Sequence, residues 1–518
     1  MAMNNCAPLN PQELKRKLNE MADVLSGYGV SGTDYLSALT YLIFLKMDYE
    51  LDRFGLASRL PPNCRWNSLV NPDEPLSCDE QRQHYHEILQ RLASPLNPDA
   101  LTRSIFAQAQ NKIDHPLYLN KIINLIDEFK WLDFDNDVKG AIYEHLLEKT
   151  GQDAKSGAGQ YFTPKVLVDL MVELSDPHSD EVIWDPACGT GGLLLGAYKW
   201  AQRQTLSESK LQWLKEEGLH GQDNTPMVVT LGAMNMYLHG IEGKNSPITL
   251  GDSLLELPES AADVVLANPP FGERAQGSIA IERADFITKT NNNQLNFLQH
   301  IMSLLKDGGR AAVIVPENIL FCQAGTAIRR ALLTQFNLHT ILHLPAGIFF
   351  VDQVNTYILF FTKGEPTQEI WHYDLHTNQN FTTVHNPLKR QHLEDFIKCY
   401  NPTGKGTFGP RSETYQPELN PNGRWRKFPV SQFINDQYCS LFVETWIEPP
   451  TNPLAQLDLS QLLDLIEART HTILDAHHQI KHILAQAQQP QPTAQNPAPT
   501  PDARTKSTSA TVPARPQA

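Results

Sequence analysis

Asn268-Pro269-Pro270-Phe271 directly follows the short apolar run Ala261-Ala262-Asp263-Val264-Val265-Leu266-Ala267, whose length and composition predict a buried strand. Two successive prolines supply no amide donors and fix the backbone. The Asn268 side chain and the neighbouring carbonyls are thereby offered as rigid hydrogen-bond acceptors, which suits a substrate bearing a planar amine. Phe271 adds a flat face on which a heteroaromatic base can stack, a contact worth roughly 1–3 kcal/mol in single-stranded nucleic-acid sites.

A second constellation precedes it. Asp185-Pro186-Ala187-Cys188-Gly189-Thr190-Gly191-Gly192 closes another predicted strand and leads straight into an apolar helix, and glycines there let the backbone pass close to a bound ligand. The spacing is Gly-x-Gly-Gly, with Leu194 where a dinucleotide fingerprint needs its third glycine, so a Rossmann dehydrogenase is disfavoured. No Gly-Lys-Ser/Thr closes the loop, which excludes a P-loop. Asp223 ends the next predicted strand, where a carboxylate accepts from both hydroxyls of a ribose. Asp252 ends the one after, where it accepts from an adenine amine.

These residues need a scaffold that gathers strand ends. Short apolar or β-branched runs at 181–185, 218–223, 247–252, 262–267, 310–315, 338–344 and 355–361 alternate with helical patterns at 163–175, 191–204, 226–239, 294–306 and 325–336. Such alternation predicts a mostly parallel sheet covered by helices on both faces, with ligands at the carboxyl ends of the strands. Residues 1–150 predict an all-helical domain, with Leu18, Met21 and Leu25 recurring at spacings of three to four. The α/β domain is expected over 155–365 and a weakly patterned extension over 366–453. An amphipathic helix follows at 454–488, with Leu459, Ile466, Ile473 and Ile480 every seven residues and Leu463, Thr470, His477 and Leu484 between them. The Gln/Pro/Thr/Ala-rich tail, 489–518, is expected to be disordered.

With 518 residues and a formal net charge of −15, the chain does not hold nucleic acid by bulk electrostatics. A local cleft or a partner must help. Seven scattered cysteines lack the paired spacing of zinc sites, so no metal is expected. No apolar run approaches the ~20 residues that span a bilayer, and no secretory signal opens the chain, so the expected location is cytoplasmic.

In order and spacing, Gly159-Gln160-Tyr161-Phe162-Thr163-Pro164, the 185–192 turn and Asn268-Pro269-Pro270-Phe271 resemble the cofactor and catalytic motifs of amino-group DNA methyltransferases. The likeness is closest to the modification (methyltransferase) subunit of type I restriction-modification systems, and it runs from about residue 10 to 365. It implies a Rossmann-like seven-stranded S-adenosylmethionine-dependent methyltransferase domain, with a helical domain before it.

By that resemblance the cofactor is S-adenosyl-L-methionine. Phe162 and Thr163 close over it, Asp185, Gly189 and Gly191 border its methionine moiety, and Gln160, Tyr161, Pro186, Thr190 and Gly192 complete the cofactor-binding set. Asp223 takes the ribose and Asp252 the adenine amine. Asn268, Pro269, Pro270 and Phe271 are the catalytic set for N6 methylation of an adenine flipped from double-stranded DNA. The implied partners are a specificity subunit, a restriction subunit and a second copy of this chain, with no membrane. One departure is Asn355, near which relatives are expected to carry a lysine. Cys188 is no cytosine-type nucleophile, since no Pro-Cys dipeptide occurs. The segment 272–293 is expected to be a mobile loop contacting DNA. The same pocket chemistry also suits guanine N2 of RNA or protein glutamine, and a non-catalytic DNA-binding assembly subunit is a third reading. The helical domain, the motif order and the intact acidic and Asn residues favour the first.

Overall fold

The computed structural model describes residues 11–444 except 31, 52–54, 72, 134–138, 141–142, 148–161, 242, 244, 257–260, 274–280, 282, 350–353, 376–380 and 383–385. Beyond 444 it describes only Leu463, Glu467, Thr470, His471, Leu474, His477 and Lys481. The chain divides into two units, Met1–Pro449 and Pro450–Ala518.

Apolar residues at helical spacing build the N-terminal part from α1 (Pro11–Gly27), α2 (Gly32–Glu50), α3 (Cys78–Leu92), α4 (Ala100–Phe106) and α5 (Pro116–Asp127). Leu18, Met21 and Leu25 of α1 are all buried, as the periodicity predicts. Helix starts are set by local polar groups. Ser77 and Glu80 form a capping box on α3, and the Asp99 side chain accepts from Thr102 N–H at the start of α4.

The rest alternates. After α6 (Lys165–Ser175) come β1 (Ile183–Asp185), α7 (Gly192–Gln204), α8 (Glu208–Trp213), β2 (Leu219–Asp223), α9 (Pro226–Leu238), β3 (Ile248–Leu250) and β4 (Ala262–Ala267). Then follow α10 (Asn293–Leu304), β5 (Leu305–Pro316), α11 (Thr326–Gln335), β6 (Phe336–Leu344) and β7 (Thr356–Lys363). All seven strands expected from the sequence are present, in the order β3-β2-β1-β4-β5-β7-β6. β7 runs antiparallel between β5 and β6, and the pairings among β3, β2, β1, β4 and β5 are parallel. The order reverses at β1 and β4, and the crevice outside their carboxyl ends is where such sheets bind ligands.

Both sheet faces are covered, which is why the strands read as continuous apolar runs. Val264, Leu266, Ala312 and Ile314 belong to the core beneath α6 and α7, while Val265, Ala267, Ala311 and Val313 belong to that beneath α10 and α11. The N-terminal helices bury their core against Leu231, Met234 and Tyr237 of α9.

The segment after Lys363 carries more structure than its weak pattern announces. β8 (Glu369–Asp374) joins β6 in parallel, then α12 (Glu394–Tyr400) and the hairpin of β9 (Pro402–Gly404) and β10 (Thr407–Phe408) intervene. β11 (Trp425–Pro429) then adds an antiparallel edge to β8. Trp371 and Trp425 stack across that pair with ring centroids 5.2 Å apart. α13 (Val430–Ile434) follows, and the chain then returns to α11, where the buried Arg329 donates to the carbonyls of Ile319, Cys322, Tyr438 and Cys439 at 2.8–2.9 Å. The described positions of 463–481 are helical, and Leu463, Thr470 and His477 are exposed. Leu459, Ile466, Ile473, Ile480 and Leu484 lie outside the described residues, as does the 489–518 tail. Among the described residues no helix is long and apolar enough to cross a membrane.

Candidate active site

The turn after β1 is shaped by two left-handed glycines, Gly189 (φ +54°) and Gly191 (φ +80°). A Cβ on Gly191 would lie 2.6 Å from the Met236 methyl, so α9 packs against the turn only because that side chain is missing. Cys188 N–H donates to the Gln222 carbonyl (3.0 Å) and Gly191 N–H to the Cys188 carbonyl (2.8 Å), which lock the turn onto β2.

Three carboxylates surround it. Asp185 is 1% exposed and accepts from Ala187 N–H at 3.1 Å. Burial pushes its carboxyl up to about 8, offset in part by that amide and raised further by the charge of Asp223. Asp223 accepts from Gly189 N–H (3.2 Å) and Thr225 N–H (2.8 Å), and burial outweighs these bonds to raise its pKa as well. Asp252 accepts from Leu254 N–H at 3.0 Å, and the neighbouring Ser253 Oγ lies 2.7 Å from the Pro186 carbonyl.

A cavity of about 300 Å³ opens among these elements, walled by Phe162, Thr163, Asp185, Gly189, Thr190, Gly192, Asp223, Asn268 and Pro270, among others. A second, of about 220 Å³, is walled by Pro186, Asp223, Asp252, Pro270 and Phe297, and it shares Ala187, Asp223, Asn224, Pro270 and Asn293 with the first. Gly191, Pro269 and Phe271 line neither: Gly191 sits in the turn, Pro269 is buried, and Phe271 meets the edge of Phe349 with centroids 6.0 Å apart. Gln160 and Tyr161 fall outside the described residues.

The Asn268 amide is oriented. Its Nδ2 donates to Thr163 Oγ1 at 3.1 Å, which leaves Oδ1 as an acceptor, and Gln294 Nε2 occupies the Pro270 carbonyl at 3.0 Å. Asn235 also lines the first cavity. It is 2% exposed, donates to the Thr190 carbonyl (3.0 Å) and keeps a buried Oδ1 without a partner among the described residues. An Asn inside the otherwise apolar α9 was the signal for it. Asn224, Asn293 and Phe297 carried none, since ordinary polar and aromatic residues in loops or helix starts look alike in sequence. At the departure from the family pattern, Asn355 Nδ2 donates to Glu317 Oε1 (3.3 Å), beside the Tyr357 hydroxyl (3.4 Å from the same oxygen).

The described part of the segment after Phe271 is held down rather than free-standing. Gln299, buried on α10, accepts from Thr288 N–H (2.8 Å) and donates to the Thr288 carbonyl (3.1 Å), and Asn296 Nδ2 donates to the Thr290 carbonyl at 2.8 Å. Glu273 and Asn292 pair across the neck. Sequence reasoning missed these clamps because Asn, Gln and His on a helix usually mark a solvated face.

A family model for N-6 DNA methylases matches residues 134–414, more than half of the chain. The chain belongs to the N-6 DNA methylase family. It is 36% identical over 464 residues to the type I restriction enzyme StySPI methylase subunit of Salmonella potsdam (81% of this chain, 85% of that one). Its identity to the EcoKI methylase subunit of Escherichia coli (strain K12) is 35% over 462 residues, with the same coverages. Among solved structures, a chain from work on complex assembly and conformational transition of the type I R-M system superposes with TM-score 0.71 at 26% identity, covering 92% of this chain and 99% of that one. The crystal structure of the EcoKI M protein matches with TM-score 0.52 at 30% identity (89% and 94%). This N-6 DNA methylase is thus an adenine-specific DNA methyltransferase of the type I methylase-subunit kind, and its fold and family imply S-adenosylmethionine as methyl donor.

Proposed function

We propose that the paired cavities are the S-adenosylmethionine cleft and that Asn268 and Pro269 receive the N6 amine of an adenine flipped out of duplex DNA. One observation carries the reading: Thr163, Asp185, Asp223 and Asn268, drawn from four separate stretches of chain, wall a single cavity.

The residues fit that cofactor. Asp223 accepts from the Gly189 and Thr225 amides and walls both cavities, where its carboxylate is placed to accept from ribose hydroxyls. Asp252, walling the second cavity with Phe297 and Pro270, suits an adenine amine held between apolar faces. Asp185, buried with its carboxyl raised to about 8, sits where a cationic ligand restores its charge. Phe162 and Thr163 close the cleft, and Gly189, Thr190 and Gly192 follow the methionine end. When bound, the cofactor supplies an electrophilic methyl group.

The chain's own work is on the amine. An aryl amine is a poor nucleophile because its lone pair is delocalised into the ring. Asn268 Oδ1, aimed by the Thr163 hydroxyl, and the Pro269 carbonyl accept its two protons as hydrogen bonds, localise that lone pair and stabilise the charge that develops on nitrogen. The Pro270 carbonyl already accepts from Gln294 Nε2. Extruding the base costs a few kcal/mol, and stacking on Phe271 returns roughly 1–3 kcal/mol.

Sequence recognition belongs to a separate specificity subunit, in a complex with a second copy of this chain and a restriction subunit. The net charge of −15 supports a borrowed DNA grip. The full chain alone should bind S-adenosylmethionine in a calorimeter yet leave duplex DNA without site-specific methylation. Robust site-specific methylation by the isolated chain would sink the division of labour.

A further inference from the structure

Beside the second cavity, the segment that follows the Asn268 turn buries a guanidinium. The Arg283 side chain is 5% exposed. Its Nη1 donates to the carbonyls of Ser253 and Glu256, both at 3.3 Å, and reaches Nδ1 of His300 at 2.7 Å. Its Nε and Nη2 donate to the two carboxylate oxygens of Asp285, at 3.0 and 2.5 Å. Ser253 and Glu256 belong to the loop that opens with Asp252. His300 stands fully buried on α10.

The chemistry of these partners is restrictive. A guanidinium has only protons to offer, so His300 must present the lone pair of Nδ1 and exist as the neutral Nε2–H tautomer. Burial, then the charge of Arg283, holds this imidazole down at about 3, so it remains a neutral acceptor at any working pH. Only a forked cation reaches two loop carbonyls, an imidazole and a carboxylate at once, and lysine cannot replace that geometry.

The contacts form a continuous path. The Ser253 hydroxyl lies 2.7 Å from the Pro186 carbonyl, so the loop is bracketed between the turn after β1 and Arg283. α10 carries both His300 and, six residues earlier, Gln294, whose amide holds the Pro270 carbonyl beside Asn268. Six residues of helix span only about 9 Å.

We propose that Arg283 is a positioning residue that couples the two halves of the site: it holds the Asp252 loop against α10, so that ligand binding at Asp252 and the conformation of segment 283–292 beside the base pocket change together. This rests on the reading of Asp252 as the adenine acceptor. Arg283 does not touch the reacting atoms and acts through the loop and the helix.

The test uses the full-length chain and S-adenosylmethionine. Hydrogen exchange of the unchanged protein should slow at 283–292 as well as at 250–256 when the cofactor is added. Arg283→Gln should weaken cofactor binding by about tenfold or more, a coupling of ordinary size, and remove the response at 283–292. Arg283→Lys should recover little of either. Protection confined to 250–256 in the unchanged chain would overturn the proposal without needing any variant to fold, as would an Arg283→Gln chain that binds and responds normally. Failure of the unchanged chain to bind S-adenosylmethionine at all would instead overturn the cofactor reading, and this inference with it.

Discussion

Asn268 donates its side-chain Nδ2–H to Thr163 Oγ1 across 3.1 Å, joining the end of β4 to the residue two places before α6 although 105 positions separate them. That bond decides which way the Asn268 amide faces. Asn268→Ala should lower the methyl-transfer rate by about 10²–10³, the usual loss when one preorganised polar group is removed, with cofactor affinity little changed. Thr163→Val, which leaves the amide in place but unaimed, should cost about tenfold in rate. Transfer of labelled methyl at saturating cofactor, beside calorimetric cofactor titrations, checks both, and an equal loss of cofactor affinity in Asn268→Ala would refute the division of roles.

Asp185 predicts two opposite pH effects. Its folded carboxyl titrates near 8 against about 4 in an unfolded chain, so the unliganded protein loses the stability tied to this group as pH rises from about 4 through 8. Asp185→Asn should therefore melt above the unchanged protein at pH 8 and lose that advantage as the pH is lowered. Cofactor affinity should run the other way, since a cationic ligand favours the ionised carboxylate: it rises to about pH 8 and levels off, while the Asp185→Asn variant shows a weak, flat profile. Melting curves and titrations from pH 6 to 9 distinguish these outcomes.

Two adjacent glycines should separate stability from binding. Gly191→Ala places a Cβ 2.6 Å from Met236 at φ +80° and should destabilise the fold by at least ~1–2 kcal/mol. A Cβ on Gly192 meets nothing within 4 Å, yet Gly192 lines the first cavity, so Gly192→Ala should melt normally and bind cofactor poorly. Equal melting temperatures for the two variants would count against this description of the turn.

Arg329 ties the segment beyond β11 to α11 through four backbone carbonyls. Arg329→Leu removes the donor from all four carbonyls, of which that of Cys322 still accepts from Gly325 N–H, at ~1–3 kcal/mol for each buried acceptor left unpaired, so chemical denaturation should report a loss of several kcal/mol. A change below ~1 kcal/mol would mean that the residues around Cys439 are peripheral to the fold.

The parallel strands were legible because burial on both faces makes them continuous apolar runs, and the glycine turn because helix packing forbids side chains at Gly191. β8 and β11 were not, since Trp371 and Trp425 meet only across the strand pair and no local pattern announces that contact. Within the site, Asp185, Asp223, Asp252 and Asn268 announced themselves as polar residues at strand ends. Asn296, Gln299 and His300 did not, because their polar partners arrive from a segment with no regular structure. Leu254, Asn293 and Phe297 complete the second cavity from loop and helix positions that sequence alone gives no reason to single out.

The most direct measurement incubates duplex DNA with methyl-labelled S-adenosylmethionine, the full chain and the proposed specificity subunit, then digests the DNA to nucleosides. Label should appear in N6-methyladenine and vanish with Asn268→Ala while that variant still binds cofactor. Label in another nucleoside or in protein, or N6-methyladenine undiminished in the Asn268→Ala reaction, would contradict the account.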